Sequence, residues 1–556
     1  MQKWIRGLFL TSAFAAASLS LANADATVER RAERDAERAP LPIVKASVPL
    51  APASPPPPIA TSDATLLQRA LQAARSRQLA EVRRYEDALS DKVARKLVDW
   101  AVVDIMADQM SAAELEAAVR RLEGWPREES RRDALTRARL PPGPVPYTAL
   151  SGGGDRLRPL YRQHKLRMNE ALERGDAASA YAAISAHGQV PGSVEYAEGE
   201  SFAGWLALTK LRDAKRAEQH FARLDAAVRS PVSKARAAYW RGRTAERLGR
   251  PAEAQAFYEQ GAVHSTTFYG QLAAEKAGRR ELVLVQDPTP SAQDRQSFEA
   301  AELTRAIRLL AAAGERSLVR VFALHYGDQV KSAEELVLLM DALQALGEKE
   351  VSLLAYRRAG RHGLILHERG YPLVTPPAVA GGAEPALVLA VTRQESQFDP
   401  RVRSSADARG MMQILPTTGR RVAREIGVSW SDDLLWDAHA NMRLGARYLG
   451  RLVTGFQGSY PMAVAGYNAG PRRPPRWAQA CGDPRGSTAD SLDFIECIPF
   501  GETRNYVMNV MANYQVYRAR LGGGRATLTA AESLKRVPGS AIEASPSEAQ
   551  AILDQL

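Results

Sequence analysis

Cysteine is nearly absent from this chain of 556 residues, which contains only Cys481 and Cys497. Their spacing matches no redox or metal-binding motif, so the sequence predicts neither a bound metal nor a cofactor. The two residues flank a short, loop-like stretch. In an oxidising compartment they favour a disulfide, which would add about 3 kcal/mol of stability by closing a small loop. Two free thiols are the alternative.

Long hydrophobic runs are also missing from most of the chain. After the first 24 residues, no apolar run approaches the roughly 20 residues of a membrane-spanning helix. The first residues differ, because Lys3 and Arg6 precede an uncharged apolar run, 8–21, and then the small-x-small pattern Ala22-Asn23-Ala24. We therefore predict a secretory signal peptide over 1–24 and a soluble, periplasmic mature protein.

Positive charge exceeds negative charge by 11. A basic surface indicates a polyanionic partner, which could be nucleic acid, a membrane or an acidic cell-wall polymer. Export argues against nucleic acid, so we expect an extracytoplasmic polyanion. No sequence feature identifies a protein partner.

Alternating β-branched residues are missing from 61–370, where apolar residues recur at a spacing of three and four. Within the block 234–262, Gly249 predicts a helix end and Pro251 predicts the next helix start. Stacked helix pairs of this kind indicate an α-superhelix, preceded over 25–60 by a Pro- and Ala-rich linker. The superhelix is either a scaffold or a surface that holds a long anionic polymer, and such binding would weaken with salt.

A second helical unit is predicted over 371–521. Its boundary is the Pro- and Gly-rich stretch "GYPLVTPPAVAGGAEP". The remaining residues, 522–556, are predicted to form a tail with one short helix over 547–556 and no assigned function. The predicted fold class is therefore all-α, with a superhelix followed by a compact helical domain.

The stretch "LAVTRQESQFDP" indicates a helix that stops abruptly with Glu395 in its last turn. Pro385 occupies the first helical position, and Pro400 disfavours helical geometry at Asp399, where we expect the stop. The negative end of the helix dipole and an apolar environment would both raise the pKa of Glu395. A carboxyl protonated near neutral pH suits a general acid. The alternative is an exposed glutamate at a helix end.

Three further segments carry candidate functional residues. Gln413 interrupts the apolar run "MMQILP" and could contact a sugar, or could lie at an ordinary helix start. Tyr467 and Asn468 stand between Gly466 and Gly470 after an apolar helix, where they could contact a sugar or form a helix cap.

The last segment, "IPFGETRNYVMNVMANYQVY", predicts a helix that begins near Thr503. Glu502 and Tyr506 lie near its start. Glu502 could alternatively be a capping or arginine-paired carboxylate, which a helix N-terminus favours.

These segments together resemble the soluble lytic murein transglycosylases, a family with a goose-type-lysozyme-like catalytic domain. The resemblance is carried by "RQES", "GMMQ", "GYNAG" and "IPFGETRNYV", in this order, after a signal peptide and a helical region. The stretches "RAAYWRGR" and "STTFYGQLAAE" also resemble the superhelical part of the family.

The resemblance implies an α-helical ring or horseshoe carrying a lysozyme-like domain that acts on peptidoglycan glycan strands. It implies cleavage of the β-1,4 bond between N-acetylmuramic acid and N-acetylglucosamine, without water, to give 1,6-anhydro-N-acetylmuramic acid ends. Glu395 matches the catalytic glutamate of the family. Residues at positions that the family uses around the substrate or the glutamate are Ser404, Gln413, Tyr467, Glu502 and, in the same motif as Tyr467, Asn468.

Two departures from the family pattern, at Leu415 and Gly466, are expected to alter packing at a sugar subsite more than chemistry. Two alternatives to the transglycosylase remain open. One is a muramidase in which Glu502 or Asp407 activates water, and the other is a non-enzymatic wall-binding scaffold.

Overall fold

Helices follow one another along nearly the whole of the described chain. A computed structural model describes residues 60–140, 153–486, 491–535 and 545–556. The predicted signal peptide and all but residue 60 of the predicted linker lie outside these ranges. The predicted all-α class is confirmed.

In chain order, the α-helices of the described residues are α1 Thr61–Arg75, α2 Leu79–Ala88, α3 Lys92–Met106, α4 Ala112–Arg121, α5 Glu128–Ala138, α6 Gly153–Glu173, α7 Ala177–Ser185, α8 Val194–Trp205, α9 Ala214–Ala227, α10 Pro231–Arg247, α11 Pro251–Ala262, α12 Phe268–Lys276, α13 Ala292–Ala300, α14 Glu302–Ala312, α15 Arg316–Gln329, α16 Ala333–Ala345, α17 Lys349–Ala359, α18 Pro385–Ser396, α19 Pro416–Glu425, α20 Ala438–Gly455, α21 Tyr460–Ala469, α22 Pro474–Cys481, α23 Ser491–Cys497, α24 Gly501–Leu521 and α25 Pro546–Asp554.

The helix pair predicted over 234–262 is present as α10 and α11. Gly249 adopts a left-handed φ of 73° just after α10, and Pro251 is the first residue of α11. The two helices pack closely because Gly242 faces the ring of Tyr258, where a Cβ would come within 2.5 Å of a ring carbon. Gly249 and Pro251 therefore predict the end of α10 and the start of α11 correctly.

A two-stranded antiparallel sheet was not predicted. Strand β1 Glu281–Val283 pairs with strand β2 Arg525–Thr527, so a segment after α12 binds the segment that follows α24. Each strand has three residues, too few for an alternating pattern to be visible in the sequence.

The short helix predicted over 547–556 is α25, and it packs against α20. Leu553 of α25 fills the space beside Gly455, where a Cβ would approach its side chain within 2.7 Å. Arg451 of α20 donates a hydrogen bond to the Gln555 side chain at 3.0 Å. The end of the described chain is thus bound to the helical unit that contains Glu395.

The division into 61–370 and 371–521 stays a prediction, and buried side chains from both ranges share one continuous core. None of the helices in the described ranges is long and apolar enough to cross a membrane.

The approach to α18 depends on a close contact with α20. The amide of Ala383 donates a hydrogen bond to the carbonyl of Ala446 at 2.9 Å. One turn further along α20, Gly450 lies directly against the backbone of Gly381 and Gly382. This contact sets the position at which Pro385 begins α18.

We expect Gly450→Ala to lower the free energy of unfolding by about 1–3 kcal/mol through overpacking. The physical reason is that an added Cβ would lie 2.1 Å from the carbonyl oxygen of Gly381. Chemical denaturation of both proteins measures the difference. Gly360→Ala is the matched control, because Gly360 has helical backbone angles and nothing within 4 Å of its built Cβ. An unchanged stability of Gly450→Ala would contradict the close contact.

Candidate active site

Glu395 lies one residue before the end of α18, a helix whose residues from Ala386 to Arg393 are all buried. The helix ends at Ser396, three residues before the stop predicted at Asp399. The prediction was wrong because Gln397 and Phe398 adopt left-handed φ values of 54° and 64°, which end the helix before Pro400 can act.

The end of α18 is anchored from the other side of the helix by Arg393. Its guanidinium donates to the carbonyl of Gly370 at 2.9 Å and lies 4.2 Å from the centre of the Tyr371 ring. A further hydrogen bond of 3.2 Å reaches the side chain of Asn513 in α24. Glu395 is therefore carried by a rigid helix end, which favours a well-defined carboxyl position.

The carboxyl group of Glu395 accepts a hydrogen bond of 2.5 Å from the hydroxyl of Tyr506, which lies in the second turn of α24. The pKa of Glu395 is raised to about 7. Burial is the main cause, the charge of Glu502 adds to the increase, and the Tyr506 hydrogen bond opposes it. The group is thus about half protonated near neutral pH, so it can both donate and accept a proton there.

Glu502 lies in the first turn of α24, one residue after the helix start at Gly501 rather than before a start at Thr503 as predicted. Its side chain is exposed. The helix dipole favours a carboxylate in this position. The charge of Glu502 raises the pKa of Glu395.

Tyr467 and Asn468 belong to the last turn of α21 rather than to a turn after it. The Tyr467 hydroxyl donates to the carbonyl of Met412 at 2.7 Å, and burial, together with the charge of Glu395, raises the pKa of Tyr467. The amide oxygen of Asn468 accepts a hydrogen bond of 2.7 Å from the hydroxyl of Thr503. The α21 end therefore connects the 410–413 turn with the start of α24.

The glycines on either side of this pair serve different purposes. Gly470 ends α21 with a φ of 90°. Gly466 lies inside the helix, where a Cβ would come within 2.9 Å of the Phe456 ring. Gly466 thus permits close packing, and Gly470 permits the sharp exit.

Ser404 and Gln413 stabilise the loop that faces the end of α18. The hydroxyl oxygen of Ser404 accepts a hydrogen bond from the amide of Ala408 at 3.0 Å. The side-chain amide of Gln413 donates to the carbonyls of Val402 and Gly410 at 2.9 and 3.0 Å. Gln413 lies in a turn before α19, so it does not occupy a helix start.

The carboxylate of Asp407 in the same loop accepts hydrogen bonds from two arginines. Arg409 donates two hydrogen bonds of 2.9 Å to its carboxylate, and Arg403 donates one of 2.6 Å. These hydrogen bonds lower the pKa of Asp407. Such a carboxylate suits loop stability better than proton transfer.

Asn441 of α20 is a site residue that sequence reasoning missed. It is fully buried, accepts from the amide of Met412 at 2.8 Å, and donates to the carbonyls of Arg409 and Leu435 at 2.8 and 2.9 Å. Its signal in the sequence is a polar residue on the apolar stripe of α20, three residues before Leu444.

Tyr506 is also absent from the predicted site residues, although it lies near the start of the helix that the sequence predicts there. Its contact with Glu395 joins residues 111 positions apart. A tyrosine on a buried helix face is ordinary in a core, so only the three-dimensional contact distinguishes it.

Cys481 at the end of α22 and Cys497 at the end of α23 are bonded to each other in the structure, with a Cα–Cα distance of 6.0 Å. The pair therefore joins the two helices that precede α24. No group of three or more His, Cys, Asp or Glu side chains within the described ranges could hold a metal ion.

We expect Glu395→Gln to stabilise the protein at high pH. In the wild-type protein the folded-state pKa of about 7 exceeds the ordinary value of 4.5, so the folded state loses stability as the pH rises between these values. Above this window the buried charge costs about 3 kcal/mol, which the neutral amide avoids. Chemical denaturation at about pH 5 and pH 8 measures the change.

Glu123→Gln is the control, because it alters the same functional group at an exposed position. A stability advantage of Glu395→Gln that did not grow between the two pH values would contradict the raised pKa.

Comparisons with known proteins agree with this arrangement of helices. Residues 374–488 match the Transglycosylase SLT domain, and residues 497–525 match the soluble lytic transglycosylase helical domain. The first match contains Glu395, and the second contains Tyr506.

Among curated proteins, the soluble lytic murein transglycosylase of Escherichia coli is 30% identical over 302 residues, covering 53% of this chain and 45% of the relative. A putative soluble lytic murein transglycosylase of Haemophilus influenzae is 37% identical over 133 residues, covering 24% of this chain and 21% of the relative. The match with the first relative thus spans about half the length of either protein.

Among solved structures, an inactive mutant of the lytic transglycosylase Slt from Pseudomonas aeruginosa superposes with a TM-score of 0.52 at 21% identity. The superposition covers 83% of this chain and 73% of that chain, and it shows a shared fold. The chain thus contains a match to the Transglycosylase SLT domain, and it is similar to soluble lytic murein transglycosylases over about half of its length.

Proposed function

We propose that this protein cleaves peptidoglycan glycan strands at the β-1,4 bond between N-acetylmuramic acid and N-acetylglucosamine. The reaction uses no water and leaves 1,6-anhydro-N-acetylmuramic acid ends. The observation that carries the proposal is the carboxyl group of Glu395, which has a pKa of about 7 and a hydroxyl donor, Tyr506, at 2.5 Å.

A single group with this pKa can serve as acid and then as base. Protonated Glu395 donates its proton to the glycosidic oxygen as the bond to the leaving sugar breaks. The 2-acetamido group of the muramyl sugar stabilises the cation that forms. Ionised Glu395 then takes the proton of the C6 hydroxyl while the C6 oxygen attacks C1, which closes the anhydro ring and restores the carboxyl group.

The arrangement of carboxylates favours this route over hydrolysis. A typical glycoside hydrolase places two carboxyl groups across the scissile bond. Asp399 accepts a hydrogen bond from the amide of Arg401 at 2.9 Å, and Asp407 is held by two arginines. Glu502 is exposed but acts on Glu395 through its charge, so it is the residue that a muramidase mechanism would use to activate water.

The remaining candidate residues suit sugar binding beside Glu395. The Gln413 amide group is occupied by backbone carbonyls, which leaves its oxygen as an acceptor for substrate hydroxyl or amide groups. Asn468 uses its oxygen on Thr503 and retains its amide group as a donor. Ser404 stabilises its loop through Ala408, and Tyr467 stabilises the 410–413 turn through Met412. We assign to both residues the role of shaping the same sugar subsite.

We further propose that the protein works in the periplasm, where its substrate lies. The predicted signal peptide and the bonded Cys481–Cys497 pair support this location.

Digestion of purified glycan strands followed by mass spectrometry tests the reaction. We expect muropeptides whose muramyl end is lighter by one water molecule than the hydrolysis product. A product with an ordinary reducing end would contradict the transglycosylase and would favour a muramidase that uses Glu502.

Glu395→Gln is expected to lower the rate of muropeptide release by about 10²–10⁴-fold, because it removes the group that transfers the proton. Asp399→Asn is the matched control, since it neutralises a carboxylate four residues away that is bound to a backbone amide. We expect its rate to stay within about twofold of wild type. Release of muropeptides by Glu395→Gln at the wild-type rate would remove the catalytic assignment of Glu395.

A further inference from the structure

The start of α24 rests on a cluster of charged and hydroxyl side chains from the superhelical region. Glu198 of α8 accepts hydrogen bonds from Lys165 of α6 at 2.9 Å and from the hydroxyl of Tyr161 at 2.6 Å. Arg504 of α24 donates a further hydrogen bond to the same carboxylate. One carboxylate of the superhelical region therefore binds the helix that carries Tyr506.

This cluster is shielded from water on the α24 side. Arg504 is 1% exposed, and its guanidinium lies 4.5 Å from the centre of the Phe202 ring. A Cβ on Gly501 would lie 3.3 Å from the Lys165 ammonium and 3.6 Å from a Glu198 oxygen. The first residue of α24 is thus in direct contact with the cluster.

The Glu198 carboxylate is charged at any physiological pH. Burial by itself would raise its pKa, but the charges of Arg504 and Lys165, with the Tyr161 hydrogen bond, outweigh that effect and lower the pKa to about 2. A buried arginine that loses such a partner is strongly disfavoured.

Tyr506 follows Arg504 by two residues on the same helix, which places it about 3 Å further along the helix axis. Its hydroxyl is the donor to Glu395. Because a helix moves as a rigid element, a shift of the helix start changes the distance between Tyr506 and Glu395 by a similar amount. The Thr503–Asn468 hydrogen bond holds the same turn from the α21 side.

We propose that Glu198 is a positioning residue for the Glu395–Tyr506 pair and acts through Arg504. In this arrangement the superhelical region contributes directly to the proton-transfer site, in addition to any contact with the polymer. The activity measurement below rests on the proposed function, whereas the titration measurement does not.

The titratable groups that face Glu395 are Tyr506 and Glu502 from α24 and Tyr467 from α21. Tyr506 lowers the pKa of Glu395 through its hydrogen bond. Weakening this bond removes a lowering influence, so the pKa of Glu395 rises further.

The test compares Glu198→Gln with Glu496→Gln. Both variants remove a carboxylate at the contact between the superhelical region and 491–504. Glu496 of α23 is fully buried and accepts from Arg236 and Tyr269, so its loss should disturb stability at least as much. It makes no hydrogen bond to α24 within the described ranges.

We expect Glu198→Gln to lower kcat/KM on glycan strands by about tenfold, because small displacements of catalytic groups have large effects. The ionisation of Glu395 should move to higher pH by about half a unit or more. Glu496→Gln should leave the pH of this ionisation unchanged. Where Glu198→Gln does not fold, Tyr161→Phe weakens the same carboxylate contact and should shift both quantities in the same direction.

Titration of Glu395 is followed without substrate, as the pH at which the stability difference between Glu395→Gln and its parent stops growing, which marks the folded-state pKa. It therefore remains informative if the proposed activity fails. In a Tyr506→Phe background the Glu198→Gln effect on this pH should vanish, since the two residues would act through one contact. The proposal is overturned if the effect persists in that background, or if Glu496→Gln shifts the ionisation equally.

Discussion

Burial of the Glu395 carboxyl group is the constraint on which the rest of the site depends. Water stabilises a carboxylate so strongly that removing it from solvent favours the protonated form unless other groups compensate. Here Tyr506 compensates in part, and the resulting pKa of about 7 leaves both protonation states accessible near neutral pH. The surrounding structure must therefore limit the access of water to the group without pairing it with a cation, and the buried residues of α18 contribute to this.

Helix α24 connects this site with helices of the 61–370 range. One end binds Glu198 through Arg504, and the helix packs against α18 and α21. Strand β2, which follows the helix, pairs with β1, which lies between α12 and α13. Because α24 is attached at both ends, the position of Tyr506 depends on parts of the chain that never approach Glu395.

The loop that contains Asp407 and Gln413 adopts strained backbone angles that apolar packing alone does not stabilise. Asp407 and Gln413 both adopt left-handed φ values, of 65° and 49°, which are unfavourable for side chains other than glycine. The hydrogen bond that Asn441 accepts from the amide of Met412 and the one that Gln413 donates to the carbonyl of Val402 offset this strain. Strained turns held by buried polar side chains often occur where a ligand must approach the backbone.

The sequence by itself determined the helical class, the starts of α11 and α18 at their prolines, and the candidate glutamate near a helix end. These features depend on a few neighbouring residues, because proline and glycine restrict the backbone locally and apolar spacing defines a helix face. The early stop of α18 escaped prediction since Gln397 and Phe398 carry no local signal for left-handed geometry. Only the tertiary structure decided that Tyr506, 111 residues away, would donate to Glu395. It also decided that β1 would pair with β2 and that Glu198 would bind Arg504. Each of these contacts joins segments far apart in the chain, and their partners are specified by the packing of the whole core.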